Sequence, residues 1–368
     1  MEIRPFAIER FYERWEFRAE LMLSSSDCES LSVSDLLALE PDAEERLREL
    51  DLGYTEVPGS LELRTAVAGR YERIAPDDVL TLAAAEEGIF LAYHALIGRG
   101  DHVVVEAPAY GSAIEVARST GAEVSLWRRR HEAGWAYDLE DLERLLRTDT
   151  RMVYLNSPHN PTGSQMSRAD LERLVELARE RSLILLSDEV YRGLEHDPAD
   201  RLPAACDLYE RAISLNTVSK AYGLPGLRIG WLASRDPALI ERIRELKLYT
   251  TICSSAPSEL LVALAVRHAD RLIGGNRELV LSNLPVLDAF LERQRDSFRW
   301  VRPTAGPIGF ARVAGQDDVG DWCERIAAEA SVLLLPGSVY GEPTHVRLGF
   351  GRANLPQAVA RLDPAPGG

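Results

Sequence analysis

Along this chain, short runs of almost wholly apolar residues alternate with longer stretches in which apolar positions return every three or four residues. The short runs fall at residues 103–105, 152–155, 183–186, 212–215 and 227–232, and most are soon followed by Pro, Gly, Asn, Asp or Ser. Runs of that length, several rich in β-branched residues, predict buried strands. The longer stretches, such as 170–181 and 237–248, carry helical spacing. Largely apolar strands separated by helices predict an α/β fold with a mostly parallel sheet covered on both faces. In such sheets the chemistry collects at the carboxyl ends of the strands. From about residue 254 the pattern changes. A long helical region runs towards residue 294, and strand-like pieces follow at 298–301, 308–313, 332–335 and 345–350. The expected division is a large domain over 45–253 and a smaller α+β domain built from 254–368 together with 1–44.

Composition narrows the function classes. Of 368 residues, 46% are hydrophobic and 27% charged, which suits a globular enzyme of two domains. A net charge of −16 repels phosphate backbones and anionic membranes, so no nucleic-acid partner is expected. The N-terminal twenty residues mix charge with aromatics, and no run approaches 18 apolar residues, so neither a signal peptide nor a membrane span is expected. Cys28, Cys206, Cys253 and Cys323 are far apart and form no metal-ligand spacing. Four reduced thiols in a cytoplasmic protein, with no metal, is the expectation.

Candidate chemistry stands at the predicted strand ends. Asn156-Ser-Pro-His-Asn-Pro-Thr-Gly163 follows one run, Ser187-Asp-Glu-Val-Tyr191 a second and Thr217-Val-Ser-Lys220 a third, with Arg228 eight residues beyond the lysine. An Asn, an Asp–Tyr pair, a hydroxyl–Lys pair and an Arg on one rim are the equipment for an anionic, aromatic, carbonyl-bearing cofactor. Taken alone, Asn-Pro-Thr-Gly is only a good turn, and Asp188 could be a helix cap. His159 reads as a turn residue rather than a catalyst.

In this order and spacing the three segments resemble the fold-type-I pyridoxal 5'-phosphate (PLP) enzymes, specifically the class I/II aminotransferases, from Tyr54 to Arg352. The resemblance implies a seven-stranded, mostly parallel sheet in the large domain, and PLP held as an imine on Lys220. That lysine would later shuttle the proton between substrate and cofactor as the amino group passes through a pyridoxamine form. It implies Asp188 at the pyridine nitrogen, where a carboxylate keeps the electron-sink ring protonated, and Asn160 and Tyr191 at the phenolic oxygen. Arg228, Thr217 and Ser219 would bind the phosphate. The amides of Ala85 and Glu86, at the start of a helix, would help. Here the sequence departs from the family: Ala84 replaces a usual Gly, and Glu86 a frequent Ser or Thr. Tyr110 matches the aromatic that stacks on the ring, and Tyr54 the tyrosine that reaches the phosphate of a neighbouring subunit, which implies a homodimer. Arg347 sits where the family places the clamp for the substrate carboxylate, with Arg352 as its rival.

Two activities remain open on this scaffold. One is transamination between an α-amino acid and a 2-oxo acid. The other is a PLP-dependent cyclase or lyase reaction, because residues 23–30 and 249–257 resemble, more loosely, capreomycidine-synthase-like cyclases acting on arginine derivatives. Both segments are expected near the substrate side chain, with Asp27, Glu29 and Glu86 as candidate guanidinium readers or as exposed loop acids.

Overall fold

A computed structural model describes residues 2–363, so the Pro/Gly tail at 364–368 lies outside the described residues. After a two-residue strand, β1 (Leu21–Met22), the chain lays down β2 (Val79–Leu82), β3 (His102–Ala107), β4 (Glu123–Arg128), β5 (Thr150–Asn156), β6 (Ile184–Asp188), β7 (Ala212–Thr217) and β8 (Gly230–Ala233). Strands β2 to β8 form one sheet in the order β2-β8-β7-β6-β5-β3-β4. Pairs β3–β4, β3–β5, β5–β6 and β6–β7 are parallel, while β8 runs antiparallel to both β7 and β2. The five parallel strands therefore deliver their carboxyl ends to one rim.

The apolar runs are continuous because both faces of this sheet are covered. On one face Leu82, Ile213 and Leu215 pack with Ile89 and Leu91 of the helix Ala84–Leu96. On the other, Val153, Leu155 and Leu185 meet Leu171, Leu174 and Val175 of the helix Arg168–Glu180. Each such fully buried aliphatic side chain contributes about 1.5–3 kcal/mol of transfer free energy.

The predicted helical region is two helices, Ala256–Arg267 and Ala269–Arg293. Beyond it, β9 (Phe298–Trp300), β10 (Ile308–Val313), β11 (Val332–Leu333), β12 (Leu335–Pro336) and β13 (His345–Gly349) follow. A four-stranded antiparallel sheet has the order β12-β13-β10-β9, and β1 pairs in parallel with β11. The expected strand over 227–232 is corrected: Pro225–Leu227 is a 3-10 turn, Arg228 adopts a left-handed φ of 52°, and β8 begins only at Gly230. A proline at the turn's start and a reversal at Arg228 leave no extended backbone there. Among the described residues no helix is long and apolar enough to cross a membrane, and no cluster of metal-ligating side chains is found.

Candidate active site

Strand ends and loops from both sheets enclose a cavity of about 320 Å³. Lys220 stands three residues beyond the end of β7 and lines the cavity, with its Nζ donating to Ser26 Oγ at 2.9 Å. Burial holds this amine below its ordinary pKa, while Asp27 pulls in the opposite direction. Asp188 ends β6 and lies nearly buried in the same cavity. One of its carboxylate oxygens accepts from the Tyr154 hydroxyl at 2.8 Å and the other from the Val190 amide at 3.2 Å. Burial nevertheless pushes the carboxyl up to about 6. Tyr191 is 1% exposed and its hydroxyl has no hydrogen-bond partner.

The β5 turn is held from below. Buried Glu106 forms an ion pair with Arg129 at 2.6 Å and accepts from the Asn156 amide at 2.8 Å. Asn156 Oδ1 in turn accepts from the Asn160 amide at 2.8 Å. His159 bonds Thr162 and the Pro108 carbonyl, and burial followed by Arg129 drives its pKa well below the usual value. It is a neutral brace for the turn, which agrees with the structural reading.

At the opposite end of the cavity, the helix Ala84–Leu96 begins with no side-chain cap, leaving its first amides without partners. Ala84, in place of the expected glycine, takes a strained φ of 73°. The turn lies tight against β8, since a Cβ on Gly230 would stand 2.8 Å from the Ala84 carbonyl carbon. Thr217, Ser219 and Arg228 line this end. Thr217 Oγ1 donates to the Ile229 carbonyl at 2.7 Å and lies 3.1 Å from Ser219 Oγ. A helix N-terminus, two hydroxyls and a guanidinium form an anion cradle.

Arg347 comes from β13. Backbone of the 24–25 segment crosses the same face so closely that a Cβ on Gly349 would meet Ser25 O at 2.1 Å. Fully buried Arg347 donates to Ser24 O, Asn160 Oδ1, Tyr340 Oη and Tyr12 Oη, which occupies its whole fork. Arg352 also reaches the cavity, but it is tied to Asp27 at 2.8 Å.

One wall is acidic. Glu9, Glu16 and Glu86 line the cavity without an ion-pair partner among the described residues. Glu9 accepts from the Tyr110 hydroxyl and Glu86 from Ser112 Oγ at 3.1 Å. Burial lifts Glu86 to about 7, and burial together with Glu9 lifts Glu16.

Two expectations need correction. Glu29 lies outside the cavity wall because its carboxylate is occupied by the Ala353 amide at 2.8 Å, and Asp27 is committed to Arg352 rather than exposed. Residues 249–257 do not enter this chain's cavity. They run beside the Tyr54 loop, where Thr55 bonds the Ser254 carbonyl. Tyr54 is likewise absent from the cavity and is 93% exposed. Tyr12, Glu9, Glu16 and Tyr340 were not foreseen as site residues, whereas Ser25, Ser26 and Asp27, which line the cavity, belong to the 23–30 segment expected near the substrate.

The residues present fit PLP. The orphan Tyr191 hydroxyl awaits an acceptor, the raised Asp188 carboxyl awaits a cation, and the anion cradle and the amine stand in the same cavity. Comparisons with known proteins agree. Residues 20–362 match the family "Aminotransferase class I and II". Capreomycidine synthase of Streptomyces vinaceus is 35% identical over 94% of this chain and 90% of its own length. An aspartate aminotransferase of Thermotoga maritima is 32% identical over 88% and 87%. A PLP-dependent aminotransferase from Streptococcus suis superposes with a TM-score of 0.93 at 33% identity, covering 98% of this chain and 97% of that one.

Proposed function

We propose a division of labour for this site on the premise that the chain belongs to the class I and II aminotransferases. It is a PLP-dependent enzyme that moves amino groups between α-amino acids and 2-oxo acids. When bound, the cofactor supplies an aldehyde that accepts the amino group and a ring that takes up the electron pair released at Cα.

Lys220 would hold that aldehyde covalently and, once freed, move the proton at Cα; an amine made less basic by burial suits the second task near neutral pH. Asp188 would face the ring nitrogen, Tyr191 and Asn160 the phenolic oxygen, and Tyr110 the ring face. Thr217, Ser219, Arg228 and the amides of Ala85 and Glu86 would take the phosphate. Arg347 would clamp the substrate carboxylate. The neutral hydroxyls of Tyr12 and Tyr340 are the partners a carboxylate can displace, because a charged acceptor outcompetes a hydroxyl for a guanidinium. Arg352 is the poorer candidate, since Asp27 already neutralises it. Arg347→Lys is expected to raise KM for the amino acid about 10²-fold and leave the visible spectrum of the loaded enzyme unchanged. An unchanged KM moves the role to Arg352.

The observation that carries the reading is the joint presence of Lys220, Asp188 and the orphan Tyr191 hydroxyl in one cavity. Its test is spectroscopic: single amino acids should bleach the yellow band of the holoenzyme, and a 2-oxo acid should restore it. Release of ammonia or ring closure without bleaching would replace transamination by the cyclase alternative.

The acidic wall supports a substrate with a cationic side chain. Once Arg228, Arg347 and Arg352 are matched to phosphate, carboxylate and Asp27, three carboxylates remain without a cation. L-Arginine should therefore react about 10²-fold faster, as kcat/KM, than its neutral isostere L-citrulline, and Glu86→Gln should reduce that ratio about tenfold. Equal rates on the two amino acids would remove the wall from specificity.

Tyr54, Leu52, Leu61, Tyr249 and Ile252 are exposed, an unusual amount of apolar surface for one region of a monomer. It suits a homodimer in which Tyr54 reaches the partner's site. The sheet boundaries favour the division into 45–253 and 1–44 with 254–368. Four unpaired cysteines suit a cytoplasmic enzyme.

A further inference from the structure

The chain has 42 basic residues of the Lys and Arg types, and only two of them are lysines, Lys220 and Lys247. Surface cations throughout are arginines. Lys247, near the end of the helix Pro237–Lys247, is 0% exposed and plays no part in the site described above. Its one hydrogen bond goes to the carbonyl of Val57. A buried ammonium is costly unless its contacts compensate, and a methionine would fill the same volume at less expense. The position requires a compact point donor. A planar guanidinium does not fit a single inward-facing carbonyl.

Val57 belongs to the loop that carries Tyr54. That loop is tied down along its length: Thr55 Oγ1 donates to the Ser254 carbonyl at 3.1 Å, and the Ser60 amide donates to buried Glu259 at 2.9 Å. The Thr81 amide reaches the Pro58 carbonyl at 2.9 Å. From this pinned loop Tyr54 projects, 93% exposed and outside the lining of its own chain's cavity.

We propose that Lys247 is the positioning residue for Tyr54: it fixes the Val57 carbonyl from inside its own chain and so aims Tyr54 into the cofactor site of a second copy. The inference rests on the shared-site homodimer proposed above. It predicts that the effect of Lys247 is felt by the other subunit.

The test uses holoenzyme dimers and the rate at which the visible band of the Lys220-bound cofactor decays against a trap for free cofactor. Lys247→Met homodimers should lose cofactor at least about tenfold faster than wild type, the size of one lost charge-assisted contact. A hybrid of one Lys247→Met chain and one Lys220→Ala chain, purified on two different tags, has a single competent lysine. That lysine lies in the Lys247→Met chain, while its Tyr54 comes from the chain with Lys247 intact. The hybrid should decay at the wild-type rate. A hybrid as fast as the Lys247→Met homodimer, or a homodimer no faster than wild type, overturns the proposal. Tyr54→Phe paired with Lys220→Ala in the same way tests the shared site separately: no rescue there sinks the dimer reading itself. Where Lys247→Met homodimers do not accumulate, Lys247→Gln, which keeps a donor on a shorter stem, gives the same comparison.

Discussion

Lys220→Ala is expected to lower transamination by about 10⁴-fold or more and to leave no cofactor that borohydride can fix to the protein. The magnitude follows from two losses at once: the covalent hold on the aldehyde and the amine that moves the Cα proton. Because the chain has only two lysines, the measurement is unusually clean. After borohydride, mass spectrometry of a digest should place the adduct on the peptide containing Lys220, with the Lys247 peptide unmodified. An adduct on Lys247, or none in the wild type, defeats the mechanism. Residual turnover in Lys220→Ala restored by added small amines would agree with it, because a free amine can replace the proton carrier but not its position.

The groups that this experiment probes were legible in the sequence for a physical reason. A strand buried on both faces must be almost wholly apolar, so β3, β5, β6 and β7 stand out, and the polar residues just after them mark the rim. Lys220, Asp188, Asn160 and Tyr191 are all within a few residues of such an end, and Arg228 stands two residues before the start of β8. Edge strands give a weaker signal. In β4 Glu123 is exposed and Val124, Ser125 and Leu126 are all only half-buried, and nothing in that pattern separates it from a loop.

What the sequence concealed is contact across great chain separation. Tyr12 meets Arg347, 335 residues away, and Trp15 meets Glu324, 309 residues away. The helix Ala7–Trp15 shows an amphipathic pattern with Ile8 and Phe11 buried, which reveals a docked face but not what its opposite face overlooks. Glu9 and Glu16 therefore read as ordinary surface acids until the fold brings them beside Glu86. For residues 249–257 the motif resemblance indicated proximity to a substrate; within one chain that segment lies beside the Tyr54 loop and not at its own cavity.

Asp188→Asn should separate stability from activity. The carboxyl is buried and lifted to about 6, above the ordinary value of 3.8 that the unfolded chain retains. Its contribution to the cofactor-free protein is therefore fully present below pH 4, declines as pH rises from 4 to 6 and is gone above, since only the unfolded state ionises it freely in that window. The shift amounts to about 2–3 kcal/mol, and the hydrogen bonds from Tyr154 and Val190 have already been counted against it. An asparagine keeps the shape and removes the charge. Cofactor-free Asp188→Asn should thus unfold at a higher temperature than wild type at pH 8 and at the same temperature at pH 3.5, as read by calorimetry. The loaded enzyme should respond the other way. Without a carboxylate the ring nitrogen loses the counter-charge that keeps it protonated, and kcat should fall about 10³-fold. A site built for its fold alone would not retain an ionisable group there; one built to receive a cation accepts instability when empty as the condition for binding it. Equal stability of the two proteins at pH 8, or an unaltered kcat, would remove Asp188 from that role.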